Sequence, residues 1–201
     1  IPVDDYARRG IVVFNTPGGN ANAVKELVAA GLLLGSRNIF DAMSYVQTLD
    51  GETDVAELNR LLEANKKKFA GLEISGMTLG VVGLGAIGAI VANMALELGM
   101  KVAGFDPAIS VEAAWRLSSR VQKVDKLQTL VGMSDFLTLH VPAIEATRGM
   151  VNAEVLGRCK PGVRLLNFAR AEIVDLPAVI AALDSGKLGA YISDFPHPDL
   201  L

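Results

Sequence analysis

Short apolar runs alternate along the chain with longer stretches whose apolar residues recur at helical spacing. Most of the short runs are apolar at consecutive positions, which is typical of strands that helices cover on both faces. The strands predicted from these runs lie at 78–82, 102–105, 121–123, 136–139, 163–167 and 190–193. Their alternation with helical stretches predicts an α/β fold with a doubly wound parallel sheet and right-handed connections.

The first fifth of the chain departs from this alternation. A short helical turn is predicted over 1–9 and a strand over 11–15, and then Thr16-Pro17-Gly18-Gly19 breaks the backbone as a boundary or hinge. Asn20 or Asn22 can cap a helix that runs on toward Gln47. That helix is apolar on more than one face, so it is either buried within this chain or packed against a second copy. We favour the subunit interface, because two-fold dimers are the commonest assemblies.

The later helices are predicted from their caps. A more polar helix is expected over 54–68. Ser110 can cap a short helix that carries Trp115, and Gly186 is the expected stop of a helix over 175–185. Two further helices are predicted over 124–131 and 152–159. Each would connect two strands of the sheet.

The segment that follows the strand at 78–82 has the spacing of a dinucleotide-binding turn. It reads Gly83-Leu84-Gly85-Ala86-Ile87-Gly88 and leads into an alanine-rich helix that ends before Gly99. Gly83 permits the tight turn, Gly85 permits close approach of a pyrophosphate to backbone N–H groups, and Gly88 permits tight packing of helix on strand. Asp106 ends the next strand, where a carboxylate accepts the ribose hydroxyls and repels a 2′-phosphate. The segment therefore predicts binding of NAD rather than NADP.

Ligands of open α/β sheets bind at the carboxyl ends of the strands. Three further strand-end residues could carry chemistry. Arg170 offers a planar fork for a substrate carboxylate, although a local ion pair with Glu172 or Asp175 is the alternative. His140 is either an acid/base or a hydrogen-bonded strand-end residue, and we favour the latter. Asp194 either binds a nicotinamide carboxamide or caps the next turn.

Composition narrows the class of protein further. The formal net charge of −3 argues against a nucleic-acid or membrane-surface partner. Cys159 is the only cysteine, which excludes an internal disulfide and fits a reducing cytoplasm. We expect Cys159 to be a packing residue and His197 to be exposed. We identify no metal ligand set, signal peptide or transmembrane span in the sequence. Because the chain opens at Ile1, we expect it to be part of a longer polypeptide.

Several motifs together resemble one family. They are Asn15-Thr16-Pro17-Gly18-Gly19-Asn20, the glycine turn, His140-Val141-Pro142, Thr147-Arg148-Gly149-Met150-Val151-Asn152 and Leu166-Asn167-Phe168-Ala169-Arg170. This order resembles the D-isomer-specific 2-hydroxyacid dehydrogenases. The resemblance implies a Rossmann NAD-binding domain over 17–201 and, over 1–16, a remnant of a second, flavodoxin-like substrate domain with the hinge. It also implies a homodimer formed through the helix over 20–48.

The same resemblance implies roles for individual residues. Arg170 matches the family's catalytic arginine, and Asp199 falls near the catalytic glutamate, one methylene shorter. His197 does not align with the family's catalytic histidine. Ala171 replaces a usual glycine and would be strained if its φ were positive. The implied NAD contacts are Gly83, Gly85, Ala86, Ile87, Gly88, Asp106, Pro107, His140, Val141, Pro142, Phe168, Ala169, Arg170 and Asp194.

The segment 191–196 looks most like the phosphoglycerate dehydrogenases within the family. The implied reaction is the NAD-dependent oxidation of D-3-phosphoglycerate, the first step of serine biosynthesis, with the present chain as an inactive cofactor-binding piece. Two alternatives stay open: a reductase of hydroxypyruvate, glyoxylate or another 2-keto acid, and a non-enzymatic NAD sensor like the family's corepressors.

Overall fold

The computed structural model describes residues 1–14, 16 and 18–200. The strands are β1 (Thr78–Val82), β2 (Lys101–Phe105), β3 (Gln122–Lys123), β4 (Phe136–Leu139), β5 (Val163–Asn167) and β6 (Leu188–Ser193). The α-helices are α1 (Val3–Arg8), α2 (Ala21–Arg37), α3 (Ile39–Gln47), α4 (Val55–Asn65), α5 (Ala86–Glu97), α6 (Val111–Arg116), α7 (Leu127–Met133), α8 (Ala153–Arg158) and α9 (Leu176–Asp184). Short 3-10 helices cover Lys66–Phe69, Ala171–Ile173 and Pro198–Leu200.

The six strands form one parallel sheet in the order β3-β2-β1-β4-β5-β6. The chain builds outward from β1 to β3, then crosses back to β4 and builds outward in the other direction to β6. The seam between β1 and β4 is therefore the switch point, where the loops after neighbouring strands diverge and leave a crevice. This confirms the predicted doubly wound α/β fold.

Helices bury the sheet from both faces. On one face, Leu79, Val81, Phe136 and Leu166 pack with side chains of α2 and α5. On the other face, strand residues including Leu137, Leu139 and Leu165 pack with side chains of α7, α8 and α9. Every residue of β4 is buried, which explains why three of its four residues are large and apolar rather than alternating with polar ones. Cys159 lies in this second core and is buried, as expected for a packing residue.

The predicted helix over 20–47 is two helices, which corrects one expectation. Asn38 separates α2 from α3 with a left-handed φ of 49°. Asparagine tolerates this conformation better than most residues, and the Asn38 side-chain amide donates to the Ala70 carbonyl. The capping expectation also changes: Asn20 is the N-cap of α2 but its side chain makes no capping bond, and the Asn22 amide instead donates to Glu26.

The strand predicted over 11–15 is wrong for 11–14, and Asn15 lies outside the described residues. A strand needs a hydrogen-bonded neighbour, and 11–14 pairs with none of the six strands. The side chains of Ile11, Val12 and Phe14 are exposed instead. Pro17 of the expected hinge and Leu201 also lie outside the described residues, while residues 18–20 form a turn before α2.

Two smaller expectations concern backbone strain and membrane insertion. Asn38 is the only non-glycine residue with positive φ in the described part of the chain, so Ala171 is not strained. No helix in the described ranges combines the length and the apolar character that a bilayer crossing needs.

Candidate functional site

The glycine turn lies at the carboxyl end of β1, beside the seam. Gly83 has a φ of +88°, and a Cβ there would come within 2.6 Å of the His140 carbonyl oxygen. A Cβ on Gly88 would overlap the Gly83 carbonyl, because α5 lies directly against the turn. Both glycines are therefore required by the fold itself.

Gly85 differs from its two neighbours. A Cβ built on it meets nothing within 4 Å, so the protein alone does not require glycine there. Gly85 is the N-cap of α5, and no side chain of the described residues caps this helix. Its first backbone N–H groups, including those of Ala86 and Ile87, consequently face open space at the positive end of the helix dipole. This is the cradle that a diphosphate fits.

Asp106 lies at the carboxyl end of β2 and is tied to the glycine turn. One carboxylate oxygen accepts from the Leu84 N–H at 2.8 Å, and the other accepts from the Ala108 N–H at 2.9 Å. These two bonds fix the carboxylate beside the cradle, and each oxygen keeps a further lone pair for a hydroxyl group. Pro107 follows in the exposed turn after the strand.

His140 lies at the carboxyl end of β4. Its ring Nε2 is 3.0 Å from the Thr138 hydroxyl, and its backbone N–H donates to the Val82 carbonyl across the seam. Burial lowers the pKa of the imidazole to about 4, so the ring is neutral at pH 7. His140 is therefore a hydrogen-bonded strand-end residue, as favoured from the sequence, and not a proton donor at neutral pH.

His140 makes folding stability depend on pH. The folded-state pKa of about 4 lies below the ordinary histidine pKa of 6.5, so the unfolded chain binds more protons between these values. The contribution of His140 to the free energy of unfolding is therefore fully present above pH 6.5, and it falls on the order of 3 kcal/mol as the pH drops toward 4.

We expect His140→Gln to reduce this loss of stability between pH 7 and pH 4.5, measured by urea unfolding. His197→Gln, at the exposed second histidine, should retain the parent dependence; equal pH dependence in all three proteins would contradict the assignment.

The loop after β4 is closed by one hydroxyl group. Thr147 Oγ1 donates to the Pro142 carbonyl at 2.5 Å and accepts from the Ile144 N–H at 3.0 Å. This fixes Val141 and Pro142 at the edge of the crevice. In the sequence, Thr147 stands out only as part of a motif, because its role depends on the loop folding back over five residues.

Arg170 lies two residues beyond the strand-end pair Asn167-Phe168. Its side chain is exposed, and Nη1 donates to the Ala169 carbonyl at 2.6 Å. In the part of the chain that the structure describes, it makes no ion pair with Glu172 or Asp175, so the local ion-pair alternative is wrong. The guanidinium is therefore available to an anion that enters the crevice.

The crevice is a cleft of about 430 Å³ that collects residues from four segments. Its lining residues are Asn20, Val24, Ile87, His140, Val141, Pro142, Ala143, Phe168, Ala169 and Arg170. Seven of these were expected from the sequence. Asn20, Val24 and Ala143 were not. Asn20 and Val24 reach the cleft through the packing of α2, which no local pattern in the sequence reveals, and Ala143 follows the expected Pro142 in the same loop.

Three acidic candidates lie outside this cleft. Asp106 lines a separate pocket together with Leu84 and Gly104. Asp194 is exposed and lines a neighbouring groove, which Phe168 separates from the cleft. It does not cap the next turn; Ser193 does, since its hydroxyl accepts from the Phe195 N–H. Asp199 is exposed in the last 3-10 helix, where its N–H donates to His197 Nδ1 and its carboxylate lies 3.5 Å from the same atom.

Comparison with known proteins agrees with this geometry. A family model described as D-isomer specific 2-hydroxyacid dehydrogenase, NAD binding domain, matches residues 32–199. D-3-phosphoglycerate dehydrogenase of Rattus norvegicus is 38% identical over 93% of the chain, and that of Synechocystis sp. is 36% identical over 96%. Each match covers 32% of the relative, so this chain spans about a third of the length of each of these relatives.

A solved structure gives the same result. The D-lactate dehydrogenase of Aquifex aeolicus, in complex with NAD and lactic acid, superposes with a TM-score of 0.76 at 29% identity. The match covers 98% of this chain and 55% of that one. The glycine cradle, Asp106 and the cleft with Arg170 thus occur in a chain that is similar to a dehydrogenase solved in complex with NAD. The chain belongs to the D-isomer specific 2-hydroxyacid dehydrogenases, as an NAD binding domain of that family.

Proposed function

We propose that the complete polypeptide is an NAD-dependent dehydrogenase that interconverts D-3-phosphoglycerate and 3-phosphohydroxypyruvate. The observation that carries the reaction class is Arg170, a guanidinium without an acidic partner among the described residues, at a cleft beside a diphosphate cradle. The names of the most similar curated relatives support the choice of substrate. The place of this reaction is the first step of serine biosynthesis.

In this proposal each described group has one task. The N–H groups at the start of α5 bind the diphosphate, and Asp106 binds the adenosine ribose. Phe168, Ala169 and the loop of Val141 and Pro142 bind the nicotinamide end, with Asp194 near its carboxamide. When bound, NAD accepts a hydride from the alcohol carbon. Arg170 holds the substrate carboxylate by paired charge-assisted bonds and so aligns that carbon.

The 201-residue chain alone is proposed to bind NAD(H) with negligible turnover. Among the described residues that line the cleft, His140 is the one imidazole, and burial keeps it neutral at pH 7. Asp199 contributes at the position of the family's glutamate only if the Pro198–Leu200 segment turns toward the cleft, away from His197. Residues 1–16 are proposed to belong to a second lobe and 17–201 to the NAD-binding domain; the exposed Ile11, Val12 and Phe14 support this division.

The test is a comparison of substrates on the complete polypeptide. NADH oxidation is followed with 3-phosphohydroxypyruvate, hydroxypyruvate and glyoxylate, with NADPH as the control cofactor. We expect the phosphorylated acid to give the highest kcat/KM. Preference for an unphosphorylated acid would assign a sibling reductase, and NADH binding without turnover on any acid would assign a sensor.

The Asp106 carboxylate should determine the preference for NADH over NADPH. We expect Asp106→Asn to lower the ratio of the NADPH Kd to the NADH Kd about tenfold, because it removes a charge that repels the 2′-phosphate. Binding is followed by energy transfer to NADH from Trp115, the only tryptophan. Glu154→Gln removes an equal charge from the salt bridge with Arg158 on α8 and should leave the ratio unchanged. An unaltered ratio in Asp106→Asn would contradict the ribose assignment.

A homodimer through the segment 20–48 is part of the same proposal. Phe40, Met43 and Val46 of α3 are 63%, 55% and 54% exposed, next to a groove of about 580 Å³ between α2, α3 and β6. Apolar surface of this extent is typical of an interface. We expect Phe40→Glu with Met43→Glu to convert a dimer into a monomer in sedimentation, while Val111→Glu on α6 has no effect. A parent monomer at micromolar concentration would exclude the dimer.

A cytoplasmic location completes the proposal. Its support is the buried free thiol of Cys159, whose pKa burial raises, because a chain with one unreactive cysteine suits a reducing compartment.

A further inference from the structure

One buried polar side chain has contacts unlike those of the others. Among the described residues, the buried polar side chains are Ser36, Ser134, Thr138 and Asn167. Ser36 and Ser134 bond to carbonyls of their own helices, and Thr138 bonds to His140. Asn167, at the end of β5 and with no exposed surface, instead uses both ends of its amide on the turn that leads to Arg170.

The orientation of this amide is fixed by its partners. The Asn167 oxygen accepts from the Ala169 N–H at 3.2 Å, and its nitrogen donates to the Arg170 carbonyl at 2.9 Å. Since one backbone partner only donates and the other only accepts, a flipped amide would lose both bonds. The same nitrogen also donates to the Tyr191 hydroxyl at 3.3 Å, on the neighbouring strand β6.

The backbone beyond Arg170 is held from the other side. The Gly149 N–H donates to the Glu172 carbonyl, and Val151 and Val174 form a parallel bridge. The backbone of Arg170 therefore lies between the Asn167 amide and this bridge. In the described part of the chain, its guanidinium bonds only to the carbonyl of Ala169, at 2.6 Å, and the Asn167 amide holds the N–H of that same residue.

We propose that Asn167 is a positioning residue for Arg170, and that Tyr191 holds the Asn167 amide in place. This inference rests on the proposed function, in which Arg170 binds a substrate carboxylate. A buried amide that does not touch the substrate sets the orientation of the guanidinium. Geometry matters here because displacement of a binding group by about 1 Å can cost about a hundredfold in rate.

The test is a double-mutant cycle in the complete polypeptide. Kinetics with NADH and the best keto acid are measured for Asn167→Ala, Arg170→Met and the double variant. We expect Asn167→Ala to lower kcat/KM about 30- to 100-fold, and the double variant to match Arg170→Met within about threefold. NADH affinity should fall by less than kcat/KM, because Asp106 and the α5 cradle are untouched and only the nicotinamide end, near Ala169, is disturbed.

A second cycle uses a milder change. Tyr191→Phe keeps the ring that packs in the core and removes only the hydroxyl. We expect about a threefold to tenfold loss of kcat/KM with Arg170 present and no further loss in the Arg170→Met background. Ser134→Ala, at a buried hydroxyl distant from the cleft, is the control and should keep the parent kinetics. This cycle decides the question if Asn167→Ala does not fold.

Amide exchange tests the positioning without any turnover. Among the described residues, the Ala169 N–H donates to the Asn167 amide oxygen alone. Hydrogen exchange of this N–H should therefore accelerate at least about tenfold in Asn167→Ala and stay at the parent rate in Ser134→Ala. Additive losses in either cycle, or unchanged Ala169 exchange, would overturn the role of Asn167. A parent without turnover would instead refute the proposed function, and exchange would still decide the positioning.

Discussion

Replacing Arg170 by methionine in the complete polypeptide is expected to lower kcat/KM for the keto acid about 10³- to 10⁴-fold. The guanidinium makes no ion pair among the described residues, so its paired bonds are free for the substrate. Two charge-assisted bonds at about 1.5 to 3 kcal/mol each account for a loss of this size. Stopped assays of NADH oxidation at several acid concentrations measure the change in kcat and in KM separately.

Two comparisons make the Arg170 result specific. Arg170→Lys keeps the charge without the planar fork, and we expect a smaller loss, about 10- to 100-fold. Arg158→Met removes an arginine whose recorded partner is Glu154 on the surface of α8, and should be neutral. Retention of activity within threefold by Arg170→Met would refute its contact with substrate.

Two glycines of the α5 turn should separate folding from cofactor binding. Gly88→Ala forces a Cβ into the Gly83 carbonyl, so we expect a loss of about 3 kcal/mol or more in the free energy of unfolding. A Cβ on Gly85 meets no protein atom, and the side chain of Gly85→Val lies at the N–H groups of α5. We expect Gly85→Val to lower the melting temperature only slightly, because valine is a poorer N-cap than glycine, and to weaken NADH binding about hundredfold.

A third glycine provides the control. Gly157, in α8, also has nothing within 4 Å of a built Cβ, yet it lies outside the cleft. Gly157→Ala should leave NADH binding unchanged and raise stability slightly, because alanine favours the helix. If Gly85→Val bound NADH like the parent, the diphosphate would have to lie elsewhere.

Much of the fold follows from local sequence. The mainly apolar runs of β1, β4 and β5 predicted strands buried on both faces, and their order with intervening helices predicted the parallel sheet. The prediction was wrong where context decides. Residues 11–14 have the composition of a strand but no neighbour to pair with, and the helix over 20–47 breaks at Asn38, whose side chain finds the distant Ala70 carbonyl.

The site was predictable in so far as topology places it at strand ends. Asp106, His140 and Arg170 were all found in this way. The contribution of α2 to the cleft was not, since Asn20 and Val24 arrive there by packing between helices. The bonding of Asn167 was equally hidden, because its three partners are known only once the turn and β6 are both in place.

The seam between β1 and β4 has a mechanical consequence. The cradle and Asp106 belong to the half of the sheet built from β1 to β3, whereas His140 and Arg170 belong to the half built from β4 to β6. A dinucleotide that spans the crevice therefore acts as a staple between the halves. Separating the two halves by force must also break the contacts of the bound dinucleotide. Saturating NADH should therefore raise the unfolding force as well as the equilibrium stability.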